Sequence, residues 1–211
     1  MIKKILWKLW SQKNELEFHK SNDWRNTQDF LDQTTYLMDY FGYSPEDFKD
    51  EIVIDLGCGS KLRSKFFKHG KIVAIDPLAD DYIKNVPWSD INTATQYYSK
   101  PAEELIPELE NCACFLMCIN VLDHTFKPRK ILENCHRYLK TGGELLISVD
   151  SHKFITPLHP QAINAKFLEN AFSKMQFEIL RSYRDLGKIG TSYERGFLSS
   201  RTFTYVLKKM K

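Results

Sequence analysis

The stretch VIDLGCGSKLRSKFFKHGKIVAIDP, residues 53–77, decides the fold because its pattern is strand, glycine turn, helical segment and second strand. The apolar runs IVID (52–55) and IVAID (72–76) enclose a segment near 61–69 that we predict to be helical. Two strands joined by a helical crossover pair in parallel within one sheet. The stretch therefore predicts the first unit of an α/β fold.

The same alternation of apolar runs and helical patterns continues to the end of the chain. Further strands are predicted at 95–99, 112–120, 144–150, 176–183 and 201–209, and further helices at 101–109, 127–140 and 160–174. The central runs are continuously apolar, as in parallel strands covered on both faces. No helical pattern separates the last two strands, which predicts an antiparallel pair at the edge. We expect a doubly wound, Rossmann-like, seven-stranded sheet, mostly parallel, with helices on both faces.

The chain divides in composition near residue 48. Residues 1–48 are polar, rich in aromatic side chains and helical in pattern, and the motif SPED (44–47) is typical of a helix start. We predict a helical extension that caps the active site, followed by a cofactor-binding domain over 49–211. The first turns carry a basic amphipathic stripe, Ile2, Ile5, Leu6 and Leu9. Packing of this stripe on its own domain is the favoured interpretation, and peripheral membrane contact is the alternative.

Composition excludes several classes of protein. Net charge is only +3, which argues against a nucleic-acid partner. No apolar run reaches the ~18–20 residues needed to cross a bilayer. The cysteines are odd in number and lie mostly in apolar runs, which favours buried thiols in a reducing, cytoplasmic setting over a disulfide framework: Cys58, Cys112, Cys114, Cys118 and Cys135. Oligomeric state is not indicated by any pattern.

The glycine turn carries the strongest chemical information. Gly57 and Gly59 follow the first strand, but Leu62 stands where a dinucleotide-binding turn has its third glycine. Asp55 at the mouth of the turn would repel a pyrophosphate and favour a cationic group. Asp76 ends the second strand, where a carboxylate can accept hydrogen bonds from both ribose hydroxyls. A ligand with a ribose and a positive charge fits, and S-adenosylmethionine has both.

At these residues the sequence resembles class I S-adenosylmethionine-dependent methyltransferases, above all the type 11 and ubiquinone/menaquinone-type group. The resemblance covers about residues 50–150 through four segments: VIDLGCGS, VAIDP, KPAEELIP and CINVLDHTFKPRKILENCHRYLKTGGELLISV. It implies a set of cofactor-binding residues: Asp55, Gly57, Cys58, Gly59, Lys61, Asp76, Pro77, Ala102, Glu103, Cys118 and Asn120. Lys61 replaces a glycine that the family usually has, and it could pair with the carboxylate of the methionine moiety.

The resemblance also implies methyl transfer to an oxygen or nitrogen of a small-molecule or glycan/lipid-linked acceptor. Asn120 and His124 follow the fourth strand, beside the expected methyl position, and are the candidate catalytic residues, with His124 as general base for a hydroxyl acceptor. The basic, aromatic loop 184–201 is a candidate acceptor contact. Two alternatives remain: a degenerate binding module without turnover, and an RNA methyltransferase.

Histidines after the fifth strand raise the question of a metal. His152 and His159 could join His124 and Asp150, but these spacings match no recognised ligand pattern. The sequence therefore predicts no metal site.

Overall fold

The computed structural model describes residues 2–151, 155–156, 158–184 and 202–211, with side chains described for 10–151, 155–156, 158–183 and 202–211. The stripe in the first nine residues and most of the loop 184–201 therefore lie outside the described side chains. Among the described residues, no helix combines the length and apolar character needed to cross a membrane.

Seven strands form one sheet: β1 Ile52–Leu56, β2 Lys71–Ile75, β3 Gln96–Tyr98, β4 Ala113–Ile119, β5 Leu139–Asp150, β6 Phe177–Arg184 and β7 Thr202–Lys209. Their order is β3-β2-β1-β4-β5-β7-β6. Strands β1 to β5 pair in parallel, whereas β7 is antiparallel to both β5 and β6. The prediction of a mostly parallel seven-stranded sheet with an antiparallel edge is confirmed.

Five α-helices are described: α1 Ile2–Ser21, α2 Gln28–Tyr40, α3 Ala79–Asn85, α4 Pro128–Tyr138 and α5 Ala165–Lys174. Helix α4 shows why the sequence folds this way, since its apolar residues recur at helical spacing. Ile131, Leu132, Cys135 and Tyr138 are all buried in the cluster that also contains α5 and one sheet face. The other face of the sheet packs against Leu37 and Met38 of α2 and against Phe41, which directly follows this helix.

The strand order places a ligand site between β1 and β4. The chain winds from β1 outward to β2 and β3, and then returns to β4 on the other side of β1. Ligands of open α/β sheets bind beyond the carboxyl ends of the strands at such a reversal. The glycine turn after β1 and the segment after β4 meet there.

Two predicted helices are wrong. The segment 61–69 contains only a 3₁₀ turn, Arg63–Phe66, because the chain becomes extended at Phe67. The side chains of Asp90 and Asp55 accept the N–H groups of Leu62 and Ser64 and cap the start of this turn. The segment 101–109 contains only the 3₁₀ turn Pro107–Leu109. Pro107 disfavours the helical conformation at Ile106, which is extended, so no α-helix can run through this position.

Two boundaries also differ from the prediction. The SPED motif makes a reciprocal cap, with the Ser44 N–H donating to Asp47 Oδ2 at 2.8 Å, but only turns follow it. Phe48 and Asp50 then take left-handed conformations, with φ of 56° and 61°, which end any helix. At the other boundary, α4 stops at Tyr138 and β5 already includes the predicted helix-terminating segment Thr141–Gly143.

An aromatic cluster holds the α2 face of the sheet. Phe115 on β4 is fully buried and lies between the rings of Tyr43, Phe48 and Phe67, with centroids 4.9 to 5.0 Å away. Such packed rings contribute area burial and a further ~0.5–1.5 kcal/mol per pair. The segment 43–48 is thereby tied to the sheet without a helix.

We expect Phe115→Ala to lower the free energy of unfolding by about 3–5 kcal/mol, because it leaves a cavity among three rings. Leu31→Ala on the exposed side of α2, where Leu31 is 50% exposed, is the matched control and should change it by less than about 0.5 kcal/mol. Urea denaturation followed by circular dichroism measures both. Equal losses in the two variants would contradict this account of the core.

Candidate functional site

The turn after β1 requires glycine at two positions. Gly57 and Gly59 have φ of +72° and +64°, in the left-handed region. A Cβ on Gly57 would lie 2.3 Å from the side chain of Val121, and one on Gly59 would lie 2.7 Å from Arg25 Nη1. The bare backbone therefore lets the segments after β1 and β4, and the Arg25 side chain, approach closely.

Asp55, at the end of β1, accepts a hydrogen bond just beyond the glycine turn. Its carboxylate is buried, and Oδ2 accepts a hydrogen bond from the Ser64 N–H at 3.0 Å. Burial raises the pKa of Asp55, and the N–H of Ser64 and the charge of Arg63 oppose that rise. Asp55 is not among the residues that line the cavity described below. The structure thus shows it ordering the 3₁₀ turn Arg63–Phe66, which follows the glycine turn.

Asp76 lies at the cavity itself. Its Oδ2 accepts from the Gly59 N–H and its Oδ1 from the Leu78 N–H, both at 2.9 Å. Burial raises the pKa of Asp76 to about 6, and these two hydrogen bonds oppose the rise. The side chain links the glycine turn to the end of β2 and keeps one face on the cavity.

A cavity of about 640 Å³ opens at the reversal of strand order. Eight of the sequence-predicted site residues line it: Gly57, Gly59, Asp76, Pro77, Ala102, Glu103, Asn120 and His124. These come from four different loops at the carboxyl ends of β1 to β4. The fold therefore brings together most of the predicted cofactor-binding and catalytic positions.

Three further predicted residues do not line the cavity. Lys61 donates to the Trp88 carbonyl oxygen at 3.1 Å, and its Nζ lies 3.9 Å from Asp90 Oδ2. Cys58 is buried within the turn, where burial raises its pKa well above the ordinary value. Cys118 is fully buried on β4. Direct ligand contact by these side chains stays a prediction.

Helix α1 contributes a wall that the sequence did not predict in detail. Ser11, Gln12 and Glu15 line the cavity. One turn further, His19 is 1% exposed, with Nδ1 2.7 Å from Ser60 Oγ and Nε2 3.2 Å from Glu15 Oε1. Burial lowers the pKa of His19, so the neutral imidazole fits both contacts if Nε2–H donates to Glu15. The helix is thus joined to the glycine turn by a buried hydrogen bond.

Arg25 is the cation that faces the glycine turn. It lines the cavity, and its Nη1 donates to the Cys58 carbonyl oxygen at 3.3 Å. Its guanidinium also lies 5.7 Å from the centre of the Phe30 ring. Neither Arg25 nor Glu15 falls in a recognisable motif, so the only sequence signal was the aromatic-rich extension that had to pack somewhere.

The opposite wall follows β4. Asn120 has φ of 57°, its N–H donates to the Ser148 carbonyl at 2.8 Å, and its buried Oδ1 has no hydrogen-bond partner among the described residues. His124 is 28% exposed and faces the cavity. Glu103 accepts a hydrogen bond from the Thr125 hydroxyl. This wall therefore combines an available acceptor oxygen with an imidazole.

Part of the chain is similar to known methyltransferases. Residues 54–147 match the family model described as a methyltransferase domain. The chain is 31% identical over 100 residues to a ubiquinone biosynthesis O-methyltransferase of Xanthomonas oryzae, covering 46% of this chain and 41% of that protein. The ubiquinone biosynthesis O-methyltransferase of Pseudomonas aeruginosa is 26% identical over 102 residues, which cover 46% of this chain and 43% of that protein. The chain thus spans less than half the length of these relatives.

Solved structures share the fold over nearly the whole chain. A 1,6-didemethyltoxoflavin-N1-methyltransferase of Burkholderia thailandensis, solved with bound 1,6-didemethyltoxoflavin and S-adenosylhomocysteine, has a TM-score of 0.63 at 15% identity, covering 97% of this chain and 88% of its own. The N-methyltransferase NodS of Bradyrhizobium japonicum has a TM-score of 0.62 at 11% identity, covering 89% and 99%. At these identities the likeness shows the fold alone.

Asp76 gives the site a testable pH dependence. An ionised carboxylate accepts hydrogen bonds from two hydroxyls, so binding of S-adenosylhomocysteine should be strong above the Asp76 pKa of about 6 and weaken as the pH falls through it. We expect the dissociation constant to rise about tenfold from pH 7 to pH 5. Asp76→Asn should bind more weakly and lose this pH response. Calorimetric titration measures both, and an identical pH profile in the variant would contradict the assignment.

Proposed function

We propose that this chain, whose residues 54–147 match a methyltransferase-domain model, is a class I S-adenosylmethionine-dependent methyltransferase that transfers a methyl group to an oxygen or nitrogen of a small-molecule acceptor. One observation carries the proposal. A single cavity joins the glycine turn and Asp76 on one side to Asn120 and His124 on the other. A ribose-binding carboxylate and a proton-accepting imidazole are thus within reach of the same bound molecule.

The residues of the cavity fit S-adenosylmethionine. Gly57 and Gly59 line the cavity with left-handed backbone, and their lack of side chains leaves room for Val121 and Arg25 to close around the place proposed for the methionine moiety. Asp76 is placed to accept from the ribose hydroxyls, and Ala102 and Glu103 line the part of the cavity assigned to the adenine. Asn120 Oδ1, buried without a described partner, is an acceptor for a polar group of the ligand.

Arg25 fits the carboxylate of the methionine moiety better than Lys61 does. A guanidinium can bind a carboxylate with two parallel hydrogen bonds, and this one already lies against Gly59 at the cavity wall. The Lys61 ammonium is held by the Trp88 carbonyl and Asp90. The replacement of the family's glycine by Lys61 therefore changes a surface beside the cavity, and we do not take it as evidence for a degenerate site.

When bound, S-adenosylmethionine supplies a methyl group on a sulfonium, which is a good leaving group. The protein's contribution is then mainly position and exclusion of water, which can lower a barrier by about 7–11 kcal/mol. Helix α1 and the segment after β4 enclose the cavity from two sides and serve this purpose. We assign to His124, which lines the cavity, the role of taking a proton from a hydroxyl acceptor.

We propose that α1, rather than the whole of residues 1–48, is the cap. Helix α2 belongs to the core, because Leu37, Met38 and Phe41 are buried against the sheet. Helix α1 instead contacts the rim of the glycine turn through His19. Its position beside Asp76 and Gly59 means that the cap covers the cofactor end of the cavity as well as the acceptor end.

The acceptor is assigned to the small-molecule class on two grounds. The relatives are named for ubiquinone biosynthesis, and a structural neighbour was solved with a toxoflavin precursor bound. The cavity volume of about 640 Å³ is suited to the cofactor and a compact acceptor together. The described residues offer no argument for a glycan or lipid-linked acceptor, and the predicted basic loop lies outside them.

Calorimetric titration with S-adenosylhomocysteine tests the cofactor half of the proposal. We expect one binding site per chain, and Arg25→Ala should weaken binding by tenfold or more because the ligand carboxylate loses its cation. Lys61→Ala is the matched control, since it removes one cation outside the cavity, and it should change affinity by less than twofold. Absence of binding by the unaltered chain would refute the proposed function, and equal effects of the two variants would refute the role of Arg25.

Release of S-adenosylhomocysteine in the presence of a panel of small phenols and amines tests the acceptor half. We expect His124→Ala to lower kcat with a hydroxyl acceptor about 10²–10⁴-fold, as loss of a general base does. Affinity for S-adenosylhomocysteine should stay within twofold of the unaltered protein. His136→Ala, which removes a histidine outside the cavity, is the control. An unchanged kcat for His124→Ala on every accepted hydroxyl substrate would exclude the base role.

A further inference from the structure

Asp123, His124 and His159 form a compact cluster at the acceptor end of the cavity. The Nε2 atoms of His124 and His159 lie 3.7 and 3.8 Å from the same oxygen, Asp123 Oδ2. The two imidazole rings are 4.6 Å apart at their centres and inclined by 63°. One potential ligand atom from each of the three residues falls within 4.8 Å of the other two. The three side chains therefore converge on one small volume.

These separations suit a shared ion better than direct hydrogen bonds. Hydrogen bonds between nitrogen and oxygen have lengths of about 2.7–3.2 Å, which both contacts exceed. Two ligands about 2.1 Å from a common ion at a tetrahedral angle lie roughly 3.4 Å apart. The observed 3.7 and 3.8 Å require only a small closure of the side chains. The carboxylate is 0% exposed and the imidazoles are 28% and 24% exposed, so the cluster opens on one side only.

The side chain of Thr156 orients the imidazole of His159. Thr156 Oγ1 lies 3.1 Å from His159 Nδ1 and also accepts the His159 N–H at 3.0 Å. If Nδ1–H donates to this hydroxyl, the lone pair of His159 is on Nε2, which is the atom that faces Asp123. A hydrogen bond from the second ring nitrogen is the usual support of a metal-binding histidine. In that tautomer, the hydroxyl of Thr156 holds the His159 imidazole in the direction that a ligand needs.

We propose that Asp123, His124 and His159 bind a divalent first-row transition cation such as Zn²⁺. Two imidazoles and one carboxylate are a ligand set used for catalytic zinc and for iron, with positions left open for a further ligand. The sequence prediction of no metal site considered His124, His152, His159 and Asp150, whose spacings match no recognised pattern, and did not include Asp123. The fold brings Asp123 to the two histidines instead, and His152 lies outside the described residues.

The cation also has a place in the proposed reaction, and this part of the inference rests on the proposed function. His124 lines the cavity, so an ion bound to it would face the acceptor. A divalent cation holds an oxygen ligand in position and lowers the pKa of its O–H group. The preferred acceptor would then be a hydroxyl that can ligate the ion. With the ion bound, His124 is a ligand and the ion activates this hydroxyl, so the base role proposed above applies to the metal-free protein.

Cobalt titration of untagged, chelator-treated protein tests the site directly. Co²⁺ bound by two nitrogens and a carboxylate gives visible absorption bands, and Zn²⁺ should displace it. We expect one equivalent to bind, and His159→Ala should weaken cobalt binding by more than tenfold. Thr156→Val keeps the size of the side chain but removes its hydroxyl, and should weaken binding about 10–100-fold. His69→Ala, which removes an exposed histidine paired with Glu46, should leave binding unchanged.

Failure of the unaltered protein to take up Co²⁺ or Zn²⁺ at high micromolar concentration would refute the proposed cation site, as would equal cobalt affinity in His159→Ala and the unaltered chain. Titration of the same preparation with S-adenosylhomocysteine separates the two hypotheses. Cofactor binding without cobalt binding refutes the cation site alone, and cobalt binding without cofactor binding refutes the proposed function alone. Circular dichroism of each variant confirms that it is folded.

Discussion

The left-handed turn at Gly57 and Gly59 is the constraint on which the rest of the site depends. The two glycines have no side chains that could fix this backbone. Two buried carboxylates at the ends of neighbouring strands instead accept hydrogen bonds from peptide groups in and after the turn. Asp55 accepts the Ser64 N–H beyond the turn, and Asp76 accepts the Gly59 N–H within it. Charge-assisted hydrogen bonds of this kind are short and directional, and they fix the position of the uncovered peptide groups. The cavity owes its shape to this arrangement, because three loops pack around the turn.

Sequence reasoning succeeded where the decisive residues are close together in the chain. The strands of the sheet and the turn with its two acidic residues lie in short segments whose pattern and spacing carry the information. The predicted helices at 61–69 and 101–109 were wrong because the first stops after one 3₁₀ turn, where Phe67 is extended, and because Pro107 interrupts the second. Asp90 caps the first of these turns at the Leu62 N–H from 28 residues away, and the local periodicity does not reveal that contact.

The contrast between Lys61 and Arg25 shows the same limit at the site. Lys61 is next to the glycine turn in the chain, yet the 3₁₀ turn that follows directs its ammonium toward Asp90 and the Trp88 carbonyl. Arg25 is more than thirty residues away, but packing of the extension carries it to the Cys58 carbonyl. Tertiary packing decides which cation lines the cavity. Local sequence patterns do not reveal contacts between residues this far apart in the chain.

The acceptor end of the cavity presents a different electrostatic problem. A carboxylate with no solvent exposure, such as Asp123, loses its hydration and must be compensated by donors or by positive charge. The Nε2 atoms of two imidazoles face one of its oxygens. A divalent cation bound among the three groups would balance the charge of the carboxylate and take both imidazole nitrogens as ligands. Burial of the Asp123 carboxylate therefore favours the cation site that we propose.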